Sequence, residues 1–228
     1  MSEQQFPFGD FTRVWVESAL SIEIRRSDSF SVTTDGENFN HIRVEKSGDI
    51  LKIRRRGLDF HAIFRPRPHI IVNMPRLNEL VLSGACQAKA SGFGAEGELV
   101  VKLSGASHLE ISSISSDSVK IEVNGASNVT GDVRVNANTM FNINGASRVE
   151  LSGLSTSAKL ELSGASQARL ANFNLNNIDA TISGASSAQL KVSGKLDVNL
   201  SGASRLEYGG SPTLGNVAVS GASSLKRR

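Results

Sequence analysis

A Gly-Ala-Ser triplet that returns about every twenty residues governs what this chain can become. Leu103-Ser104-Gly105-Ala106-Ser107 is one copy. The others centre on Gly84 (where Cys86 replaces the serine), Gly125, Gly145, Gly164, Gly184, Gly202 and Gly221, so successive glycines lie 21, 20, 20, 19, 20, 18 and 19 residues apart. A nearly fixed period of this length marks a solenoid, in which each repeat buries its apolar face only against its neighbours.

Each triplet follows an alternating run such as Val119-Lys120-Ile121-Glu122-Val123, Ala158-Lys159-Leu160-Glu161-Leu162 or Leu196-Asp197-Val198-Asn199-Leu200. A second alternation follows it, as in Leu109-Glu110-Ile111 and Val149-Glu150-Leu151. Period two with one apolar face is the pattern of a half-buried strand. Glycine between two such runs accepts positive φ without strain and makes a tight corner, and Ala and Ser keep that corner small. Two or three short strands with their corners in twenty residues make one coil of a parallel β-helix.

Stacking in register would place equivalent residues in columns separated by about 4.8 Å. Five residues after each glycine the column runs Lys89, Glu110, Thr130, Glu150, Arg169, Gln189, Glu207, Lys226. No adjacent pair shares a charge and three pairs are opposite, as cross-strand neighbours prefer. The column three before each glycine (Val81, Lys102, Glu122, Asn142, Glu161, Thr181, Asn199, Ala218) also avoids like charges. Only the column five before breaks the rule, with Asp179 beside Asp197 where the spacing falls to 18.

Composition shifts ahead of the repeats. Eight of the twelve aromatic residues lie between Phe6 and Phe64, and four of the five prolines precede residue 78. The chain divides into a tail (1–12), an N-terminal β cap with irregular coils packed on the helix (13–77), and regular repeats (78–228). Strands are expected at 13–16, 20–25, 30–33, 42–44, 50–53 and 69–74, with turns at Asp35-Gly36 and Ser47-Gly48-Asp49. A cap is expected because the end of a solenoid exposes core and unpaired backbone.

Net charge is +3, too little to draw the chain to nucleic acid or an anionic membrane. The first 77 residues hold twelve Lys or Arg against ten Asp or Glu. Arg54-Arg55-Arg56 with Arg65, Arg67 and His69 is therefore a solvated cluster, and Asp59-Phe60-His61 with Phe64 fixes no chemistry. No apolar run reaches the length of a membrane span, and Met1 to Phe11 is too polar for a secretory signal. The single cysteine, Cys86, forms no internal disulfide and is read as a small side chain in the serine place. No Ser-His-Asp arrangement, metal-ligand spacing, phosphate loop or dinucleotide fingerprint occurs, so no catalytic, cofactor or metal residue is assigned.

These corners resemble the bacterial family described as putative autotransporter adhesin, head GIN domain. Ile143-Asn144-Gly145-Ala146-Ser147 and the run from Met74-Pro75-Arg76-Leu77 through Gly84-Ala85 carry the likeness. So do Val14-Trp15-Val16, Ile22-Glu23-Ile24 and the strand from Phe30 to Thr33, and the likeness spans about residues 10 to 225. The resemblance implies a single-stranded right-handed parallel β-helix shaped like the pectin lyases, without their catalytic residues, and adhesion at the bacterial cell surface. Members usually start with an export signal or lipid anchor. Cell surface or periplasm is the location implied, and the cytoplasm if the sequence as written is full length.

The leading expectation is a non-enzymatic interaction protein that binds a protein or glycan along a flat face, with no nucleic acid and no membrane span. The alternative is a carbohydrate-active enzyme of lyase or hydrolase type. Binding is expected on the column three after each glycine: Gln87, His108, Asn128, Arg148, Gln167, Ser187, Arg205 and Ser224. These residues supply amide, imidazole and guanidinium donors without an acid, which suits an acceptor-rich ligand. At the C-terminal edge, Lys226-Arg227-Arg228 blunts the last strand by charge or a second subunit covers it.

Overall fold

In a computed structural model, which describes residues 3–35, 41–55, 68–94 and 97–228, the chain is an all-β parallel solenoid. No α-helix occurs among the described residues. The coils stack in the register that the glycine period demands: Lys102 lies between Val81 and Glu122, and Glu150 between Thr130 and Arg169. Each coil has an approach strand entering the Gly-Ala-Ser corner and an exit strand leaving it. In the middle of the molecule these are not separate short strands. They fuse into continuous strands His108–Val123, Asn128–Ile143, Arg148–Leu162 and Gln167–Ile182, bent at bulges where the register slips.

The corner explains the sequence repeat. Gly125 has φ +80°, and a Cβ there would sit 2.5 Å from the carbonyl oxygen of Gly105 in the coil below. Glycine is required both by the left-handed backbone and by the space. That close approach lets the next N–H bond downward: Ala126 donates to Gly105 O and Ala146 to Gly125 O, each at 2.7 Å. The serine turns inward and is buried at Ser107, Ser127, Ser147, Ser166, Ser186 and Ser204. Ser186 Oγ donates to Gly164 O at 3.3 Å and accepts from Ser166 N–H at 3.3 Å. The recurring serine is thus an internal strut. Cys86 fills the same place, fully buried, with Sγ 3.2 Å from Ser83 O.

The core is a set of apolar columns. Leu82, Leu103, Val123, Ile143, Leu162, Ile182 and Leu200 occupy one of them, each at most 2% exposed. Full burial of one such side chain contributes roughly 1.5–3 kcal/mol. Phe141 and Phe173 meet edge to face at 6.0 Å inside the middle coils. A second corner, invisible in the triplet, needs glycine in some coils: a Cβ on Gly131 or Gly153 would fall on the carbonyl oxygen of Ile111 or Val133.

The described strands between Arg13 and Met74 do not stack in chain order. Arg13–Glu17 and Ser21–Arg26 form the layer directly beneath Glu79–Ser83 and Gln87–Ser91. The layer beneath that one is made by the later strands Ile50–Arg55 and His69–Met74. Antiparallel strands then close the outside, Ile42–Ser47 on Ile50–Arg55 and Ser31–Asp35 on His69–Met74, with Glu3–Phe6 outermost. At the other end the last approach strand, Thr213–Val219, leaves Leu214, Val217 and Val219 43–46% exposed. Their counterparts Leu196, Val198 and Leu200 are at most 3% exposed.

Asp179 and Asp197 are neighbours in register, as the column implied. On its other side, at a bulge, the Asp197 carboxylate accepts from Asn216 N–H at 2.7 Å, and it pairs with Lys195 at 2.8 Å. These contacts, Lys195 first, hold its pKa below the usual carboxylate value.

Candidate functional site

The exit face carries the residues that the sequence singled out. Gln87, His108, Asn128, Arg148, Gln167, Ser187, Arg205 and Ser224 are consecutive partners in the parallel ladder. Ser21 and His69 extend the ladder below Gln87, giving ten aligned outward positions. The Gly-Ala-Ser pattern could not reveal those two. The corner before Ser21 is built by Ser18 and Ala19, at φ +73° and +57°, instead of by glycine.

Gln87, Arg148, Arg205 and Ser224 are exposed, whereas His108, Asn128, Gln167 and Ser187 are half-buried. His108 is therefore more enclosed than a plain surface residue. Asn128 Nδ2 lies 3.2 Å from His108 Nδ1 and Ser21 Oγ lies 3.4 Å from His69 Nδ1.

Two residues further along each exit strand runs a charged column. Lys89 pairs with Glu110 at 2.8 Å, and Arg169 with Glu150 at 3.5 Å. Glu207 is held by Arg228 at 3.2 Å. The hydrogen bond and charge of Lys89 lower the pKa of Glu110. Hence the acid-free donor column does not stand alone; a column of mixed charge flanks it. Together the two columns border two depressions of about 210 Å³ each. One lies among Ser21, His69, Gln87, Lys89, His108 and Glu110, the other among Gln167, Arg169, Ser187, Gln189, Arg205 and Glu207.

Of the N-terminal basic cluster, Arg54 pairs with Glu45 at 3.2 Å and His69 joins the exit-face ladder. Arg56, Asp59, Phe60, His61, Phe64, Arg65 and Arg67 lie outside the described residues. Among the described residues no cluster of three His, Cys, Asp or Glu side chains has the geometry to hold a metal ion. No helix among them is long and apolar enough to cross a membrane.

A β-solenoid with this corner and polar exit face defines the class, and comparison with known proteins defines the family. The model of the family described as "Putative auto-transporter adhesin, head GIN domain" matches residues 10–212, and the chain belongs to that family. Its fold is shared with a putative adhesin of Parabacteroides distasonis ATCC 8503, with a TM-score of 0.87 at 14% identity over 100% of this chain and 96% of that one. A putative adhesin of Parabacteroides merdae ATCC 43184 gives 0.87 at 16% identity, covering 100% and 95%. A protein of Parabacteroides distasonis ATCC 8503 described as a putative lipid binding protein gives 0.82 at 16% identity, covering 100% and 96%. The curated proteins contain no match.

Proposed function

We propose that the chain is a non-enzymatic adhesin that grips a glycan or protein surface at the bacterial cell surface through its exit face. The observation that carries this reading is the register of that face: Gln87, His108, Asn128, Arg148, Gln167 and Arg205 form one straight polar ladder. A row of hydrogen-bonding groups at about 4.8 Å intervals suits an extended partner that is held at many weak points.

The behaviour of the acids supports binding over catalysis. A carboxylic acid that protonates a leaving group at neutral pH needs its pKa raised. Among the described residues every carboxylate that shifts goes down: Glu23, Glu45, Asp49, Glu79, Glu110, Asp117 and Asp197. Each is held by a hydrogen bond to a cation or a backbone N–H, as a structural surface acid is.

The test compares wild type with the Arg148→Ala, Arg205→Ala double variant on a glycan array and on bacterial and epithelial cells. Both arginines are exposed, so the fold should be unaffected. Wild type should bind, with the double variant weaker by about tenfold or more, since hydrogen bonds from charged donors are worth roughly 1.5–3 kcal/mol each. Equal binding by the two would remove the ladder as the site. Failure of both to bind would overturn the adhesin reading.

A further inference from the structure

Beside the ladder, where the exit strands meet the second corner, four successive coils line a groove of about 670 Å³. Its polar walls are Thr130, Glu150, Ser152, Arg169, Asn172 and Gln189. Gly131, Leu151 and Ala171 complete the lining, Leu151 with its side chain buried in the core. We propose that this groove is a subsite for an uncharged saccharide unit. The inference rests on the adhesin reading and names a ligand class and a place for it.

The groove originates in a mismatch between coils. The spacing from Gly164 to Gly184 is 20 residues, whereas from Gly184 to Gly202 it is 18. The longer coil must shed residues somewhere, and it does so just past its exit strand. Leu170 pairs with Leu190, and the next partners are Asn174 and Lys191, so Ala171, Asn172 and Phe173 have no counterpart in the following coil. A bulge of this kind bends the chain and leaves backbone groups without a ladder partner. Phe173 fixes it from inside, fully buried with its ring against Phe141 and one ring edge 3.3 Å from where a Cβ on Gly153 would lie. The notch is thus pre-formed, because closing it would expel a packed aromatic ring.

The lining selects the ligand. One acid and one base face the groove, already paired at 3.5 Å and about half exposed (Glu150 53%, Arg169 47%). A pair so placed contributes little and is easily diverted. An anionic ligand would compete with Glu150 for Arg169 and a cationic one with Arg169 for Glu150. A hydroxyl both donates and accepts, so it satisfies both partners without removing either charge. The amides of Asn172 and Gln189 and the hydroxyls of Thr130 and Ser152 offer the same two-way bonding. Adjacent hydroxyls that donate and accept along such a lining are the chemistry of a neutral sugar ring.

The experiment titrates the labelled full chain with cellohexaose, xylohexaose, mannohexaose and, as the charged counterpart, hexagalacturonate, following amide shifts by NMR. At least one neutral oligosaccharide should shift amides of Thr130, Glu150, Ala171 and Gln189. Glu150→Gln, Arg169→Gln should weaken that binding about tenfold or more while leaving the melting temperature unchanged. Ala171→Trp, which fills the notch, should abolish it; should that variant misfold, the exposed double variant still decides. Shifts confined to the ladder residues would overturn the groove and leave the adhesin reading intact. Binding of hexagalacturonate alone would overturn the neutral ligand. No binding by any of the four would overturn the subsite altogether, while cell binding by wild type would still uphold adhesion.

Discussion

The regular coils and the N-terminal layers answer the same problem, holding one parallel layer on the next, by opposite means. Between Gly105 and Gly202 the corners are joined within the triplet itself: an N–H from alanine meets the glycine carbonyl below, and a buried serine hydroxyl acts as strut. Beneath Gly84 the strands still pair backbone to backbone, but the corner is Ser18-Ala19, and long side chains add joints of their own. Arg13 grips Asp49 with Nε at 3.0 and 2.9 Å and Nη2 at 2.5 Å. Trp15 Nε1 and Lys102 Nζ meet on Glu79, at 3.1 and 3.0 Å, bridging three successive layers. Phe11 and Phe30 meet at a tilt, with ring centroids 4.9 Å apart. A backbone joint repeats and is indifferent to what hangs outside it. A side-chain joint is particular to its residues and sensitive to their charge.

The sharpest way to break this contrast is to damage a backbone joint. Gly125→Val forces a β-branched residue to φ +80° and drives its Cβ toward Gly105 O. Left-handed strain and overpacking against unyielding backbone should together cost about 3–4 kcal/mol, measured as a shift in the urea midpoint. Wild-type stability would mean that the corner is looser than its hydrogen bonds imply. A smaller loss is expected from Ser186→Ala, which strands the buried Ser166 N–H, while Gly164 O keeps its bond from Ala185 N–H. Leaving a buried donor unmet costs about 1–3 kcal/mol. Ser186→Cys should recover part of it, as the sequence itself does at Cys86, and equal stability of both variants would deny the serine its role as a strut.

The mildest effect belongs to the side-chain joints and appears through pH. The hydrogen bond from Arg13, aided by Thr12, holds the Asp49 carboxyl at about 2, below its ordinary 3.8. A lowered pKa in the folded chain means that the joint contributes fully above about pH 4 and is lost as pH falls toward 2. Asp49→Ala should therefore melt below wild type at pH 7 by a modest margin, the joint being exposed, and the two curves should converge as pH falls to 2. A difference that stays constant across that range would show that Asp49 acts by packing and not by charge.

The same contrast decides what the sequence could reveal. In the regular coils the backbone itself requires glycine, so the period of the residues is the period of the structure, and the outward columns follow by counting. The ladder from Gln87 to Ser224 was legible for that reason. In the N-terminal layers the corner beneath Gly84 is Ser18-Ala19, and the layer order inverts through antiparallel strands. Neither leaves a repeat to count, so Ser21 and His69 were missing from the ladder. Strand length was misjudged because the second corner bends the chain without ending its pairing, as in His108–Val123. The groove at Glu150 and Arg169 was hidden for a third reason. It depends on which of two neighbouring coils absorbs a difference of two residues, and pairing settles that, not local propensity.

The corner of Gly, Ala and Ser also bears on how such a protein can change over time. Because the joint between coils uses backbone and three small residues, its demands end there. Every outward position on the exit face is free to drift without consulting the layer above or below beyond avoiding like charge. Lineages can rewrite what the face displays coil by coil while the scaffold stays in register, and solenoids that agree at 14–16% of positions still superimpose along their whole length. The packing constrains the spine of each coil and leaves the page open.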